Sequence, residues 1–203
     1  MSTENSTGKS ILIAARKIFV LKGFDGARMQ EIADEAGINK SLLHYYFRSK
    51  ENLFESIFVE AFSQVQSNML ELLTSERFLL EKIEMFIDQY LDILSANPYL
   101  PAFVTHEINR NPEKILALIR GTGLRFDLFN TQIDQEIENG SIWPVNPQHL
   151  IINIMALCAF PFVAKPLLDK LIFGNVQQQI DEFTSNRKVE IKNLIIRNLK
   201  KQL

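Results

Sequence analysis

Met29–Leu53, MQEIADEAGINKSLLHYYFRSKENL, is the stretch whose reading decides the fold: a helix, a glycine turn, a second short helix and a new helix start follow one another within 25 residues. Ile32, Ala33 and Ala36 fall on one face of the first helix, and Gly37 can take the positive φ that ends it. Ile38 plugs the turn and Asn39 is placed to cap the next helix. From Lys40 to Phe47, Leu43 and Phe47 point inward at i, i+4, which leaves Lys40, Ser41, Leu42, His44 and Tyr45 outside. Such an outward face can enter a major groove. Ser49 then caps a further helix, whose free N–H groups face an anion together with Lys50.

Working outward, the spacing predicts an all-α chain of about nine helices. The first runs from about Lys9 to Lys22 and stops at Gly23. The fourth, about Lys50 to Leu73, is long enough to join two parts of the molecule. Asn97-Pro98, Asn111-Pro112, Asn139-Gly140 and Asn146-Pro147 punctuate the rest, with one long helix over about 112–138 that Gly121-Thr122-Gly123 can break. The last two long helices fall at about 147–163 and 178–200, joined by a short segment that reaches Gly174. The division expected is 1–50 for a helix-turn-helix DNA-binding head and 51–203 for a helical effector-binding and dimerisation body.

These residues resemble the TetR family of bacterial transcriptional regulators. The resemblance rests on Ile32-Ala33, Ala36-Gly37-Ile38, Leu43-His44-Tyr45-Tyr46-Phe47 and Ser49-Lys50-Glu51-Asn52-Leu53, is specific over about residues 9–55, and is loose beyond. It implies that Gln30 reaches a base or phosphate, that the last two long helices form an intersubunit four-helix bundle, and that the body encloses an effector cavity. Two departures stand out. Arg28 occupies the place where the family usually has a Ser or Thr cap, and His44 replaces a Tyr that usually bonds a phosphate. A cationic contact can replace the first, and an imidazolium the second.

Reach within a groove then assigns roles. Lys40, Ser41 and Leu42, at the start of the recognition helix, are the candidates for reading bases, Lys40 toward guanine and Leu42 toward a thymine methyl. Arg28, His44, Tyr45 and Lys50 are expected to hold the phosphate backbone. Phe47 suits the head's own core better than DNA, while Tyr46 suits either.

Composition bounds the alternatives. With 46% apolar and 23% charged residues in 203, the chain has the balance of an ordinary folded protein. The net charge of −2 divides into +3 over residues 1–50 and −5 over the rest, a basic head on an acidic body. The polar N-terminus and the single cysteine, Cys158, lead to an expectation of a cytoplasmic protein without a secretory signal. No span of a membrane is expected either, because the apolar run Leu150–Ala164 is short and interrupted by Asn153 and Pro161.

One motif covers only a few base pairs, so a homodimer on a two-fold operator in double-stranded DNA is expected. Its faces are read as Ile154, Leu157, Cys158 and Phe162 against Ile180, Phe183, Ile191, Leu194, Ile195 and Leu199, the competing reading being that both stripes close the monomer's own core. The effector site is assigned to Phe58, Phe62, Phe86, Tyr90, Phe103, His106, Phe126 and Phe129, although aromatic residues at helical spacing serve a filled core equally well. His106, Glu107 and Arg110 lie within one turn and can meet a polar group on a ligand. Neither a catalytic pair nor metal-ligand spacing occurs, and no cofactor is expected: His106 and Glu107 are adjacent, about 100° apart on a helix. The reading is a ligand-responsive transcriptional regulator, a repressor released from its palindromic operator by a small, largely apolar effector. Its alternative is an architectural DNA binder or protein-interaction module with a filled core and no effector.

Overall fold

The structure is a computed structural model that describes residues 2–110, 112–120 and 126–201, with the side chains of residues 2–5, 64, 65, 103, 107, 110, 114, 118 and 119 outside the description. Eleven helices occur among the described residues: α1 (Ser2–Gly26), α2 (Met29–Glu35), α3 (Lys40–Phe47), α4 (Lys50–Thr74), α5 (Leu79–Ala96), α6 (Leu100–Arg110), α7 (Pro112–Arg120), α8 (Phe126–Glu138), α9 (Pro147–Val163), α10 (Lys165–Leu171) and α11 (Gln177–Leu199). The fold is all-α, as expected, with two helices more than the spacing predicts. One extra helix comes from α7 and α8 being separate; the glycine break expected at 121–123 lies outside the described residues. The other is α10, where Lys165-Pro166 restarts a helix after α9, with proline in its first turn. Beyond the helices, an isolated antiparallel bridge joins Ile142 to Lys200.

Two apolar cores organise these elements. The first gathers Ile11, Phe19, Ile32 and Leu43 of the three head helices around Leu53, Phe54 and Ile57 of α4, and it takes in Ile93, Tyr99, Leu100 and Ile115. The head's core therefore does not stop at residue 50: the first half of α4 is one of its walls. The second core packs Leu79, Ile83, Ile87 and Leu91 of α5 against Ile133, Ile154, Cys158, Ile191, Ile195 and Leu199. Two ion pairs, Lys188–Asp92 at 2.6 Å and Lys192–Asp88 at 2.9 Å, tie α11 to α5 on its outer side.

That second core revises the expected dimer faces. Ile154, Cys158, Ile191, Ile195 and Leu199 are buried within the single chain, so these members of the two stripes close the chain's own core, while Leu157, Phe162, Ile180 and Phe183 are half-buried and Leu194 is exposed. Helix α11 spends part of its apolar repeat there and leaves Val189 and Leu194 exposed. Ile152 and Phe160 of α9 and Leu167 and Leu171 of α10 are exposed as well. No single helix among the described residues is long and apolar enough to cross a membrane; α9 and α10 pass that test only as a pair bent by 72°.

Candidate nucleic-acid interface and effector cavity

The turn between α2 and α3 is built by hydrogen bonds that the sequence pattern anticipates. Gly37 has φ 68°, its N–H donates to Asp34 O at 3.1 Å, and the N–H of Ile38 donates to Ala33 O at 3.0 Å. This is the two-bond closure that glycine permits at a helix end. Asn39 Oδ1 accepts from the N–H of Leu42 at 2.8 Å, which starts α3. Leu43 is fully buried, Phe47 and Tyr46 are half-buried against the head core, and Lys40, Ser41, Leu42, His44 and Tyr45 are exposed. Tyr45, 74% exposed, stands edge-on to Tyr46 with ring centroids 5.5 Å apart. The Lys40 side chain has no hydrogen-bond or ion-pair partner among the described residues.

The two departures at Arg28 and His44 acquire a physical account. No side chain caps α2 at Arg28; instead Glu31 accepts from the N–H of Arg28 at 3.3 Å, so the cap has moved one turn into the helix. Lys22 donates to the same carboxylate at 2.8 Å, and that bond, foremost, holds the Glu31 carboxyl below the usual range. The Arg28 guanidinium is left exposed. His44 Nδ1 lies 2.8 Å from Arg48 O. A carbonyl only accepts, so Nδ1 carries the proton, and a neutral His44 presents an acceptor at Nε2. Arg48 itself has φ 52°, and the N–H of Ser49 donates to Phe47 O around it, a γ-turn that swings the chain into α4.

Lys50 is placed differently from its expected role. Its ammonium donates to Phe24 O at 2.8 Å and Ala27 O at 3.2 Å, stands 3.5 Å from Asp25 O, and lies 4.5 Å above the Phe24 ring. A lysine has three donors, and the end of α1 with its following turn takes all of them. Lys50 is therefore a clamp between α1 and α4, and the expectation that it faces an anion is corrected. Gln30, expected to reach DNA, pairs with Asp34 on its own helix at 2.7 Å and stays exposed. Further bracing comes from Lys17–Glu35 at 2.6 Å between α1 and α2, and Arg16–Glu60 at 2.8 Å between α1 and α4.

In the body a cavity of about 830 Å³ lies between α4, α5, α6, α8 and α9. Of the aromatic residues assigned to it, Phe58, Phe62, Tyr90, Phe126 and Phe129 line it. Phe86 does not; it is buried, stacked on Tyr90 at 5.5 Å, and borders a separate void of about 40 Å³. His106 is exposed and does not line the cavity, since it lies on the face of α6 opposite to Val104 and Ile108 neighbours that do. The side chains of Phe103, Glu107 and Arg110 lie outside the described residues. Reading the sequence missed the contribution of α9: Ile151, Ile152, Met155, Ala159 and Val163 form a wall, with Pro147 and Gln148 at its start. The signal for it was the apolar character of most of that helix on more than one face, which leaves a second apolar face after Ile154 and Cys158 are buried.

Burial pushes the Tyr90 hydroxyl up to about 12, so the phenol in the cavity is neutral at ordinary pH. Among the described residues no group of histidine, cysteine or carboxylate side chains could hold a metal ion.

An exposed recognition helix set by a glycine turn on a helical body defines a helix-turn-helix DNA-binding protein. Residues 11–57 match the family model described as bacterial regulatory proteins, tetR family. The regulator RutR of Escherichia coli is 26% identical over 95% of this chain and 90% of its own, and the repressor NicS of Pseudomonas putida is 36% identical over 42% of each. The crystal structure of HlyIIR, a hemolysin II transcriptional regulator, superposes with a TM-score of 0.63 over 98% of this chain and 100% of that one, at 22% identity, which supports the fold. Residues 11–57 thus carry the DNA-binding domain of the tetR family of bacterial regulatory proteins, and the likeness of nearly the whole chain to a transcriptional regulator supports a DNA-binding regulator of that kind and not an enzyme.

Proposed function

We propose that the protein is a homodimeric repressor that binds a palindromic operator and is released when a small, largely apolar effector enters the cavity of the body. The observation that carries this reading is a helix shared between the two sites. Leu100, Pro101, Val104 and Thr105 of α6 line the cavity, while Tyr99, immediately before them, packs its ring against Phe19 at 5.9 Å and Phe54 at 5.5 Å in the head's core. A ligand that shifts α6 therefore acts on the packing of α1 and α4. Only a preference of ligand and DNA for different arrangements of that joint is needed.

In this reading Lys40, Ser41 and Leu42 read base edges, and Arg28, Gln30, His44 and Tyr45 hold the backbone. The division into a head and a body is functional rather than one of separate cores, with α4 belonging to both. The alternative, an architectural DNA binder with a filled core, is disfavoured by the open cavity. Selecting bound sequences from random DNA tests the proposal: a two-fold symmetric site is expected, and its absence from the enriched pool overturns the operator reading. Affinity for random DNA at low salt does not count in its favour.

A further inference from the structure

We infer that the cavity is built for an uncharged lipid-like molecule carrying one or two neutral hydrogen-bonding groups, such as a hydroxyl or an ester, and that it rejects the same chain ending in an ionised carboxylate. This rests on the effector reading above. At roughly 30 Å³ per heavy atom, 830 Å³ gives room for about 25 heavy atoms, far more than a metabolite of one small ring needs. Among the described lining residues none is Asp, Glu, Lys, Arg or His. The polar atoms offered are those of Tyr90, Thr105, Asn130 and Gln148, every one neutral.

Those groups differ in availability. Thr105 Oγ1 already donates to Pro101 O at 2.8 Å. The Tyr90 hydroxyl and the amides of Asn130 and Gln148 make no hydrogen bond among the described residues, and so remain for a ligand. The high Tyr90 ionisation noted above keeps that hydroxyl a donor. One buried cation, Lys82, borders the neighbouring void, but its ammonium donates to Gln132 Oε1 at 2.8 Å and Leu73 O at 3.4 Å, behind Phe126 and Phe129, which are shared by both spaces. A carboxylate brought into the large cavity loses water and meets no counter-charge among the described lining residues, and that penalty separates it from its own methyl ester.

The test uses the full chain and Nile red, a neutral apolar dye of suitable size, whose fluorescence rises on binding. At about pH 8, where a fatty acid is ionised, dodecanol, methyl dodecanoate and dodecanoate are compared as competitors. The neutral pair should displace the dye at concentrations at least about a hundredfold below dodecanoate. Ala159→Phe and Ala156→Trp, each verified as folded by circular dichroism, should weaken dye binding by about tenfold or more by filling the space. Dodecanoate competing as well as the alcohol overturns the inference and leaves effector control standing. Dye binding that is absent, or that neither filled variant weakens, overturns the inference through the cavity itself. If the neutral pair binds as expected while DNA affinity does not respond to them, the effector reading fails for these ligands and the chemical preference stands.

Discussion

Arg187 Nη2 donates at 2.8 Å to the carbonyl of Leu157, the one acceptor in α9 that Pro161, four residues later and without an N–H, cannot satisfy. A side chain from α11 thus completes the helix that proline interrupts. The guanidinium also lies 5.3 Å from the Phe183 ring, and burial lowers its basicity.

The relation makes a double-mutant cycle decisive. Arg187→Ala should cost about 1–3 kcal/mol, the loss that follows when a buried acceptor is left unpaired. In a Pro161→Ala background the helix supplies its own N–H, so the same change should cost clearly less. Urea denaturation of the four chains measures both; equal costs in the two backgrounds would refute the coupling.

Lys50 and Lys40 should separate stability from DNA binding. Lys50→Met removes the clamp on the carbonyls after α1 and is expected to lower stability by about 1–3 kcal/mol while leaving the salt dependence of DNA binding unchanged. Lys40→Ala should leave the melting temperature within about a degree or two and weaken a selected site by about tenfold or more. Thermal melts and salt titrations of binding anisotropy read the two effects.

His44 should make DNA binding dependent on pH. With Nδ1–H held by Arg48 O, only a protonated ring offers a phosphate a donor at Nε2. A phosphate contact by this ring therefore requires its doubly protonated form, so affinity should rise several-fold as pH falls from about 8 to 6, and His44→Tyr should flatten the profile. Flat profiles for both chains at constant salt would exclude the contact.

Cys158 should make the fold sensitive to alkali. Burial pushes its thiol from 9.0 up to about 12, against the pull of Arg187. The unfolded chain therefore loses this proton first as pH rises past 9, while the native chain keeps it. Stability is fully present below that point and falls above it, by at most about 1.4 kcal/mol per pH unit. Denaturation between about pH 8 and 9.5 should show a slope in the native sequence that is clearly smaller in Cys158→Ala, whose remaining slope comes from the buried tyrosines and grows toward pH 10.

The head was legible in the sequence because its signals are local. Gly37, Asn39 and Ser49 act on backbone groups within a turn, and the structure places Asn39 on Leu42 N–H at 2.8 Å and Ser49 on Asn52 N–H at 3.2 Å. Helix ends marked by Asn97-Pro98 and Asn146-Pro147 were legible for the same reason, with Asn146 accepting from His149 N–H at 3.0 Å. Even the moved cap at Arg28 needed only Glu31, three residues away.

The rest depends on which distant segments meet. A helical repeat says that Phe58, Phe86 and Ile191 face something apolar; it does not say whether that is a neighbour, a void or a second chain. The order of helices in the chain put Phe86 behind Tyr90, buried Ile191 beside α5 and α9, and left Phe62 and Phe129 over open space. Lys50 shows the same limit at one residue: its charge was plain, but its direction was set by carbonyls more than twenty residues earlier. The sequence determined an all-α regulator with a DNA-reading head, since caps and periodicity act within a few residues. Tertiary structure alone decided the cavity and the clamp, because packing between remote helices chooses what each face and each donor finally meets.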